Sequence, residues 1–350
     1  MPTLDIYHGT EDELSFLDIS KPKAIKVGDK IANTPSTTTQ EIHNGEEKAT
    51  EEQKPHPAPY YDVDLNYRLD PAEGGTEVLW GGTMHLMRRK WKTTTVRTHN
   101  ARGREKEFSL DTTGFQFEHF PSSYKGMPWI PLDEELVREY NPEAEEFMRR
   151  LTGATDVRLI SHLVRQRDWR SDPEEDAKRP DMAMTDGGLL SAHYVHVDQS
   201  YDGAVRRLMD DLPAGEWVDH KDKHRWAIVN MWRPLEPVRR ECLTLCDARS
   251  VRDEELHDTM HCVPFHWPKP PTENHMWLVT APESLEQHKW WFRGGMTRDD
   301  VILIKIFDSK KDGRARRAPH CAATTPDCFG PARRSLETRF FLFWEDDTSE

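Results

Sequence analysis

Ala192-His193-Tyr194-Val195-His196-Val197-Asp198-Gln199 is the stretch whose reading decides the fold. Its β-branched and aromatic residues mark a strand. On a strand, side chains two apart share a face, so His196 and Asp198 present an imidazole and a carboxylate to one point. That makes two ligands of a metal site. The third has to come from far along the chain, and His320, within Arg317-Ala318-Pro319-His320-Cys321-Ala322-Ala323, is the histidine placed to supply it. Two neutral imidazoles and one carboxylate on one octahedral face leave three positions open, the arrangement expected of Fe(II) in oxygen-using enzymes.

Arg333-Arg334-Ser335 stands thirteen residues past His320 and leads into the apolar stretch Phe340 to Trp344. On a strand Arg333 and Ser335 share one face. A guanidinium offers the planar fork that the distal carboxylate of 2-oxoglutarate needs, and the hydroxyl adds a neutral hydrogen bond. The pieces fit one cosubstrate: its 2-oxo acid end chelates iron and its far carboxylate meets Arg333. A bare His-x-Asp is common in a chain with 17 histidines, and His220-Lys221-Asp222 repeats it. That second copy sits among Asp219, Lys223 and His224, a charged stretch read as a solvated loop, whereas His196 lies between apolar and aromatic residues.

Further strands are expected over Trp226–Trp232, Met276–Thr280, Val301–Phe307 and Arg339–Trp344, with turn residues at Pro234, Pro268 to Pro271, Gly294-Gly295 and Pro331. Helical spacing appears over Asp133–Leu151, stopped at Gly153, and over Asp202–Leu212, ended by Pro213. The gaps are too irregular for repeats or βαβ units. The expected fold is mainly β with flanking α, built on a double-stranded β-helix core of jelly-roll, cupin-like form. Residues 34–59 are rich in Thr, Glu, Lys and Pro and cannot repay their ordering entropy by burial. The expected organisation is therefore an N-terminal arm with a polar linker over residues 1–59 and a single catalytic domain over residues 60–350.

A balance of 48 basic against 62 acidic side chains, net −14, excludes the clustered basic surface that nucleic-acid binding needs. The five cysteines, Cys242, Cys246, Cys262, Cys321 and Cys328, are odd in number and irregularly spaced, which reads as reduced thiols and not as a disulfide framework. No apolar run is long enough to cross a bilayer, and Met1 to Ser20 lacks the pattern of a signal peptide. The expected setting is cytoplasmic, with a small-molecule substrate as the partner, no membrane and no nucleic acid.

Six blocks together resemble a known group. They are Asn100-Ala101-Arg102-Gly103-Arg104-Glu105, Leu110-Asp111-Thr112-Thr113-Gly114-Phe115, His193 to Ser200, Asn230-Met231-Trp232-Arg233-Pro234-Leu235, Leu245-Cys246-Asp247-Ala248-Arg249-Ser250 and Pro319-His320. The group is the fungal and bacterial non-haem oxygenases related to the cephalosporin 7-alpha-hydroxylase component and to gibberellin desaturase. The resemblance runs from Tyr60 to Trp344. It implies a double-stranded β-helix, Fe(II), 2-oxoglutarate and O2, with decarboxylation of the cosubstrate to succinate and oxidation of a secondary metabolite by hydroxylation, desaturation or ring closure. Pro331-Ala332 precedes Arg333 where the group would place Pro directly before the arginine. Arg334 and Arg339 therefore stay open as carboxylate partners.

Other residues carry two readings each. Asn230 is a donor to the cosubstrate and Arg233 a binder of an acidic substrate, or Arg233 is a buried structural ion pair and Trp232 plain core. Tyr194 shares the face of His196 and touches cosubstrate or substrate. Phe341 and Phe343 alternate on the last strand and either shape the substrate pocket or fill the core. His257, His261, Cys262 and His266, with Cys242 and Cys246, match the spacing of no common zinc module. His162 and Arg165 are read as scaffold. A cupin-like, non-oxidative metal enzyme or a small-molecule binding protein is the alternative to the oxygenase.

Overall fold

The structure is a computed structural model that describes residues 58–124, 136–165, 173–185, 191–263 and 272–347. All belong to one compact unit, Lys54–Glu350. Apart from Ala58 and Pro59, the expected arm over residues 1–59 lies outside the described residues.

In chain order the strands are β1 (Tyr60–Tyr67), β2 (Val78–Trp80), β3 (Lys92–Asn100), β4 (Phe115–His119), β5 (Asp156–Arg165), β6 (His196–Val197), β7 (Arg225–Pro234), β8 (Cys242–Cys246), β9 (Leu256–Val263), β10 (Thr272–Val279), β11 (Trp290–Phe292), β12 (Asp300–Asp308), β13 (His320–Ala323) and β14 (Ser335–Trp344). The helices are α1 (Met84–Arg88), α2 (Asn141–Thr152), α3 (Pro173–Lys178), α4 (Tyr201–Asp211) and α5 (Ala214–Lys223). Nine strands form one sheet in the order β1-β3-β11-β8-β13-β6-β10-β9-β2, and five form a second in the order β4-β12-β7-β14-β5. Their inner faces share one core, with Val197, Leu243 and Leu245 from the larger sheet against Trp226, Ile228, Trp232, Ile304 and Phe341 from the smaller. This is the double-stranded β-helix expected from the sequence, mainly β with helices at its flanks.

The smaller sheet is covered on both sides. Its outer face, including Val229, Met231, Leu336 and Phe340, packs against Tyr140, Phe147 and Met148. Every residue of β7 and of β12 is buried, which is why these two stretches read as almost unbroken apolar runs. The edge strand β1 and its neighbour β3 pair through exposed Thr, Asp and Lys side chains, and no apolar run announces them.

The helix expected over Asp133–Leu151 is realised as α2, with a wide turn at Leu136–Tyr140 ahead of it; residues 133–135 lie outside the described residues. It stops where expected: Gly153 takes φ 67° and returns its N–H to the carbonyl of Arg149. In α4 the Ser200 hydroxyl caps the first turn, accepting from the Gly203 N–H at 3.0 Å. The charged stretch around His220, read as a loop, is instead the helix α5, and His220 stacks on Phe343 at 3.9 Å between ring centroids.

One close approach fixes the segment that follows Asp198. The Ser200 N–H donates to the His275 carbonyl at 2.7 Å, which presses the start of α4 onto β10. A Cβ at Gly203 would lie 2.1 Å from that same carbonyl oxygen. Replacing a helical glycine with alanine ordinarily stabilises a protein by about 0.5–1 kcal/mol. Gly203→Ala is expected to do the reverse, lowering stability by about 1–3 kcal/mol, because backbone must move to admit the methyl. Gly215→Ala in α5, where nothing lies within 4 Å of the new Cβ, is the control and is expected to be neutral or stabilising. Urea unfolding of both variants checks this; equal behaviour would contradict the close-approach argument.

Candidate metal centre

β6 and β13 are antiparallel neighbours at the centre of the larger sheet, and the register sets His320 directly opposite His196. Their rings lie 4.5 Å apart between centroids. Asp198 follows β6 directly, held by the Asn274 side chain, which donates to its backbone carbonyl at 3.0 Å. Its Oδ1 stands 3.3 Å from His196 Nε2 and 3.8 Å from His320 Nε2. One ligand atom from each of the three residues lies within 4.8 Å of the others.

The tautomers follow from the second ring nitrogens. His196 Nδ1 sits 2.8 Å from the Tyr194 carbonyl, and His320 Nδ1 sits 3.1 Å from the Ala318 carbonyl. A carbonyl only accepts, so each Nδ1 carries a proton, and in the neutral ring Nε2 is the nitrogen that offers a lone pair. Burial, with His196 beside it, pushes His320 down to about 4, which keeps it neutral near pH 7. Burial works against the charge of Asp198, but the Arg339 guanidinium, together with His196 and His320, outweighs it and holds the carboxyl well below the usual carboxylate range. Two imidazole Nε2 atoms and one anionic oxygen thus converge on one point. A divalent cation satisfies such a set, and its composition, two nitrogens and one oxygen, suits Fe(II).

The other expected residues divide. Tyr194 does stand beside His196, with ring centroids 4.8 Å apart, and is stacked on Trp91 at 5.0 Å. Arg333 lies buried over the Trp232 ring, its guanidinium carbon 5.0 Å from the centroid, and gives one N–H to the Glu241 carbonyl. Burial and then the charge of Arg165 push Arg333 down to about 10. Its Nε and the Trp232 Nε1 are buried donors that find no acceptor among the described residues. Ser335 is buried and pairs across β14 with Arg165 of β5, so these two share a face. Arg334 pairs with Glu236 at 2.8 Å instead of entering the barrel. Asn230 donates through Nδ2 to Asp198 Oδ2 at 2.7 Å. Phe341 pairs with Ile228 on the inner face, and Phe343 fills the space against His220.

Arg233 is a correction. It faces the outer side of the smaller sheet, where its Nη1 donates to the carbonyls of Phe120 (2.8 Å) and Arg298 (2.7 Å) and its guanidinium lies 4.7 Å from the Phe120 ring. It cannot meet a substrate inside the barrel. The reason is strand parity, since Asn230 and Trp232 face inward and their odd-numbered neighbour must face out.

Sequence reasoning held Arg339 open only as a carboxylate partner and His261 only as a member of a zinc cluster, and it passed over Glu337. Arg339 Nη2 approaches Asp198 Oδ2 at 3.1 Å and Glu337 Oε1 at 2.6 Å. Glu337 and Arg339 alternate with Ser335 on an otherwise apolar strand, and that pattern was the available signal. His261 of β9 is close enough to feel the charges of Asp198 and His196, while burial pushes it down to about 4. Gly81 makes room for its ring, since a Cβ there would come within 2.4 Å of His261 Nε2. His257 binds Thr280 at 2.7 Å instead of joining a zinc cluster, and His266 lies outside the described residues. A small cavity of about 10 Å³ lies beside Asp198, Asn230 and Arg339, walled by Ile160, Ile228 and Ile306.

Comparison with known proteins bears on this geometry. A family model described as an oxidoreductase/YMDC permease-like domain matches residues 65–343. The hydroxylase/desaturase CTB9 of Cercospora beticola is 52% identical over 295 residues, 83% of this chain and 89% of that protein. The hydroxylase/desaturase efuI of Hormonema carpetanum is 37% identical over 302 residues, 84% and 98% of the two chains. Among solved structures, the iron and alpha-ketoglutarate-dependent endoperoxidase NvfI superposes with a TM-score of 0.64 at 22% identity, covering 82% of this chain and 99% of its own, and so supports the fold. The comparisons lend no support to the cupin-like non-oxidative alternative.

The outward placement of Arg233 yields a test. Arg233→Met removes two charge-assisted hydrogen bonds and is expected to cost about 2 kcal/mol or more of stability. It should leave the KM of any substrate unchanged below the melting transition. Denaturant unfolding alongside steady-state kinetics checks this, and a raised KM in a fully folded variant would return Arg233 to the pocket.

Proposed function

The chain belongs to the fungal hydroxylase/desaturase family of Fe(II)/2-oxoglutarate-dependent oxygenases, and on that premise we propose that His196, Asp198 and His320 hold the iron of a dioxygenase acting on a small secondary metabolite. The observation that carries the reading is the convergence of two imidazoles and one carboxylate, with one ligand atom from each within 4.8 Å of the others. Once bound, Fe(II) with 2-oxoglutarate and O2 supplies the oxidising power, coupling decarboxylation of the cosubstrate to succinate and CO2 with oxidation of the substrate.

The protein's own side chains do the rest. Arg333 and Ser335 bind the distal carboxylate of 2-oxoglutarate, which meets the orphaned donors Arg333 Nε and Trp232 Nε1 and is drawn by the neighbouring Arg165. Tyr194, braced by Trp91, holds the ring of His196 at its angle and walls the site on that side. Ile160, Ile228 and Ile306 exclude water from the cavity beside Asp198, and Phe341 continues that apolar wall as a substrate contact. Hydroxylation, desaturation and ring closure differ in how the substrate carbon is aimed, which these wall residues control. Five free cysteines and a net charge of −14 accord with a cytoplasmic enzyme that binds no nucleic acid.

Anaerobic titration tests the reading directly. The protein loaded with Fe(II) is expected to develop a weak visible charge-transfer band when 2-oxoglutarate is added, and to form succinate once O2 is admitted. His196→Ala and His320→Ala are expected to lose both signals. Arg333→Met should raise the KM for 2-oxoglutarate by roughly 10- to 100-fold, the worth of a charge-assisted pair, with a smaller change in kcat. Metal-dependent succinate formation that survives His196→Ala would remove the assignment.

A further inference from the structure

The smaller sheet contributes no ligand to the metal centre, yet it reaches the one carboxylate there from the opposite side. Arg339 and Asn230 are direct cross-strand neighbours on β14 and β7, so they project together into the barrel. Both converge on the same oxygen of Asp198, Oδ2, at 3.1 and 2.7 Å. The other oxygen, Oδ1, is the one turned to the imidazoles. An ionised carboxylate only accepts, so the amide of Asn230 can meet it only through Nδ2, and its orientation is fixed.

We infer that Arg339 and Asn230 are the positioning residues of the metal centre, holding Asp198 as a one-oxygen ligand, with Glu337 bound to Arg339 so that the added cation is neutralised. The inference rests on the assignment of the metal ligands above. A carboxylate free to swing can grip a metal through both oxygens and take an extra coordination position. A two-histidine, one-carboxylate site has three positions to offer, two for the chelating cosubstrate and one for O2. A bidentate aspartate would remove the last. Two donors on Oδ2 prevent this, because that oxygen has to abandon both hydrogen bonds before it can turn to the metal. Glu337 answers the remaining problem: an unpaired guanidinium next to a divalent cation would oppose metal binding, and the Glu337 carboxylate, 2.6 Å from Arg339 Nη2, makes the pair neutral.

The test uses Mn(II) as the probe on the full chain, with metal affinity and the water-proton relaxation rate as readouts. Asn230→Leu removes one donor without changing charge, and Glu337→Gln combined with Arg339→Gln removes the other as a neutral pair. Each variant is expected to bind Mn(II) more weakly, by about tenfold for the first and up to about 100-fold for the second, as for other groups that orient metal ligands. The relaxation enhancement should fall as well, most visibly with 2-oxoglutarate present, where the wild-type protein keeps one exchangeable metal-bound water and the variants keep none. Folded variants that match the wild type in affinity and relaxation would overturn the inference. If the double variant does not fold, Asn230→Leu decides alone by the same two readouts. His196→Ala and His320→Ala separate the levels: Mn(II) binding that survives those substitutions indicts the ligand assignment, whereas loss there with no effect at Asn230, Glu337 and Arg339 indicts only the positioning role.

Discussion

The direct pairing of His196 with His320 across two short antiparallel strands is the constraint on which the site rests. Strand side chains alternate with a period of two, so a slip of one residue on either strand would send an imidazole to the outer face. β6 is only two residues long and cannot hold its own register. Its neighbours do so. β10 pairs Leu278 with His196 and Trp277 with Val197, and the Asn66 side chain donates to the His193 carbonyl at 2.8 Å. On the other side β8 pairs Leu245 with His320, and the Thr244 hydroxyl donates to the Cys321 carbonyl at 3.0 Å. The two ligands that lie more than a hundred residues apart are therefore fixed by the middle of a nine-stranded sheet, where every neighbour resists a shift.

How much of this was legible depended on where the physics is local. The His-x-Asp stretch announced itself because burial and strand parity both act within a few residues, and the apolar runs of β7, β12 and β14 followed from burial on two faces. Parity alone also settles the face of Arg233, once Asn230 and Trp232 are assigned to the interior; treating the three as one cluster ignored it. The tie between Arg339 and Asp198 was out of reach, since it requires two sheets to close on each other and no local pattern encodes that distance. β1 and β3 were equally silent, because one face of each is solvated and their Thr, Asp and Lys residues read as loop until paired. α5 was misread for a related cause: its charged residues suit a solvated helix as well as a loop, and its contacts with the barrel through His220 appear only in three dimensions.

The smaller sheet pays for its role with buried charge. At the end of β12, Lys305 donates to Asp111 at 2.7 Å and to Asp308 at 2.8 Å, while Arg225 of β7 donates to Asp308 at 3.2 and 2.8 Å. Lys305 and Asp308 are almost wholly buried. Such a network is weak evidence for stability, because desolvation offsets most of the attraction. Its effect is on geometry. A bulge between Lys305 and Phe307 shifts the register with β7, and the Lys305 carbonyl accepts the Ala318 N–H at 2.8 Å. Ala318 in turn offers its own carbonyl to His320 Nδ1. The charged anchor on β12 is thereby joined, through one backbone unit, to the orientation of the His320 ring.

A division of labour emerges from these contacts. The larger sheet carries the two imidazoles of the proposed centre, with Asp198 directly after β6, and the smaller sheet carries the groups that orient two of these three residues: Arg339 and Asn230 on Asp198, and the Lys305 carbonyl through Ala318 on His320. Orientation therefore exists only when the two sheets are packed, so closing the core and completing the site are one event. An apolar interface between sheets is tolerant of small sliding, because dispersion and burial vary little over fractions of an ångström. Directed hydrogen bonds are not, since they weaken steeply with misalignment. Placing buried polar groups at a few points between otherwise apolar sheets converts a tolerant interface into a fixed one, and the fixed points are the ones that touch Asp198 and His320.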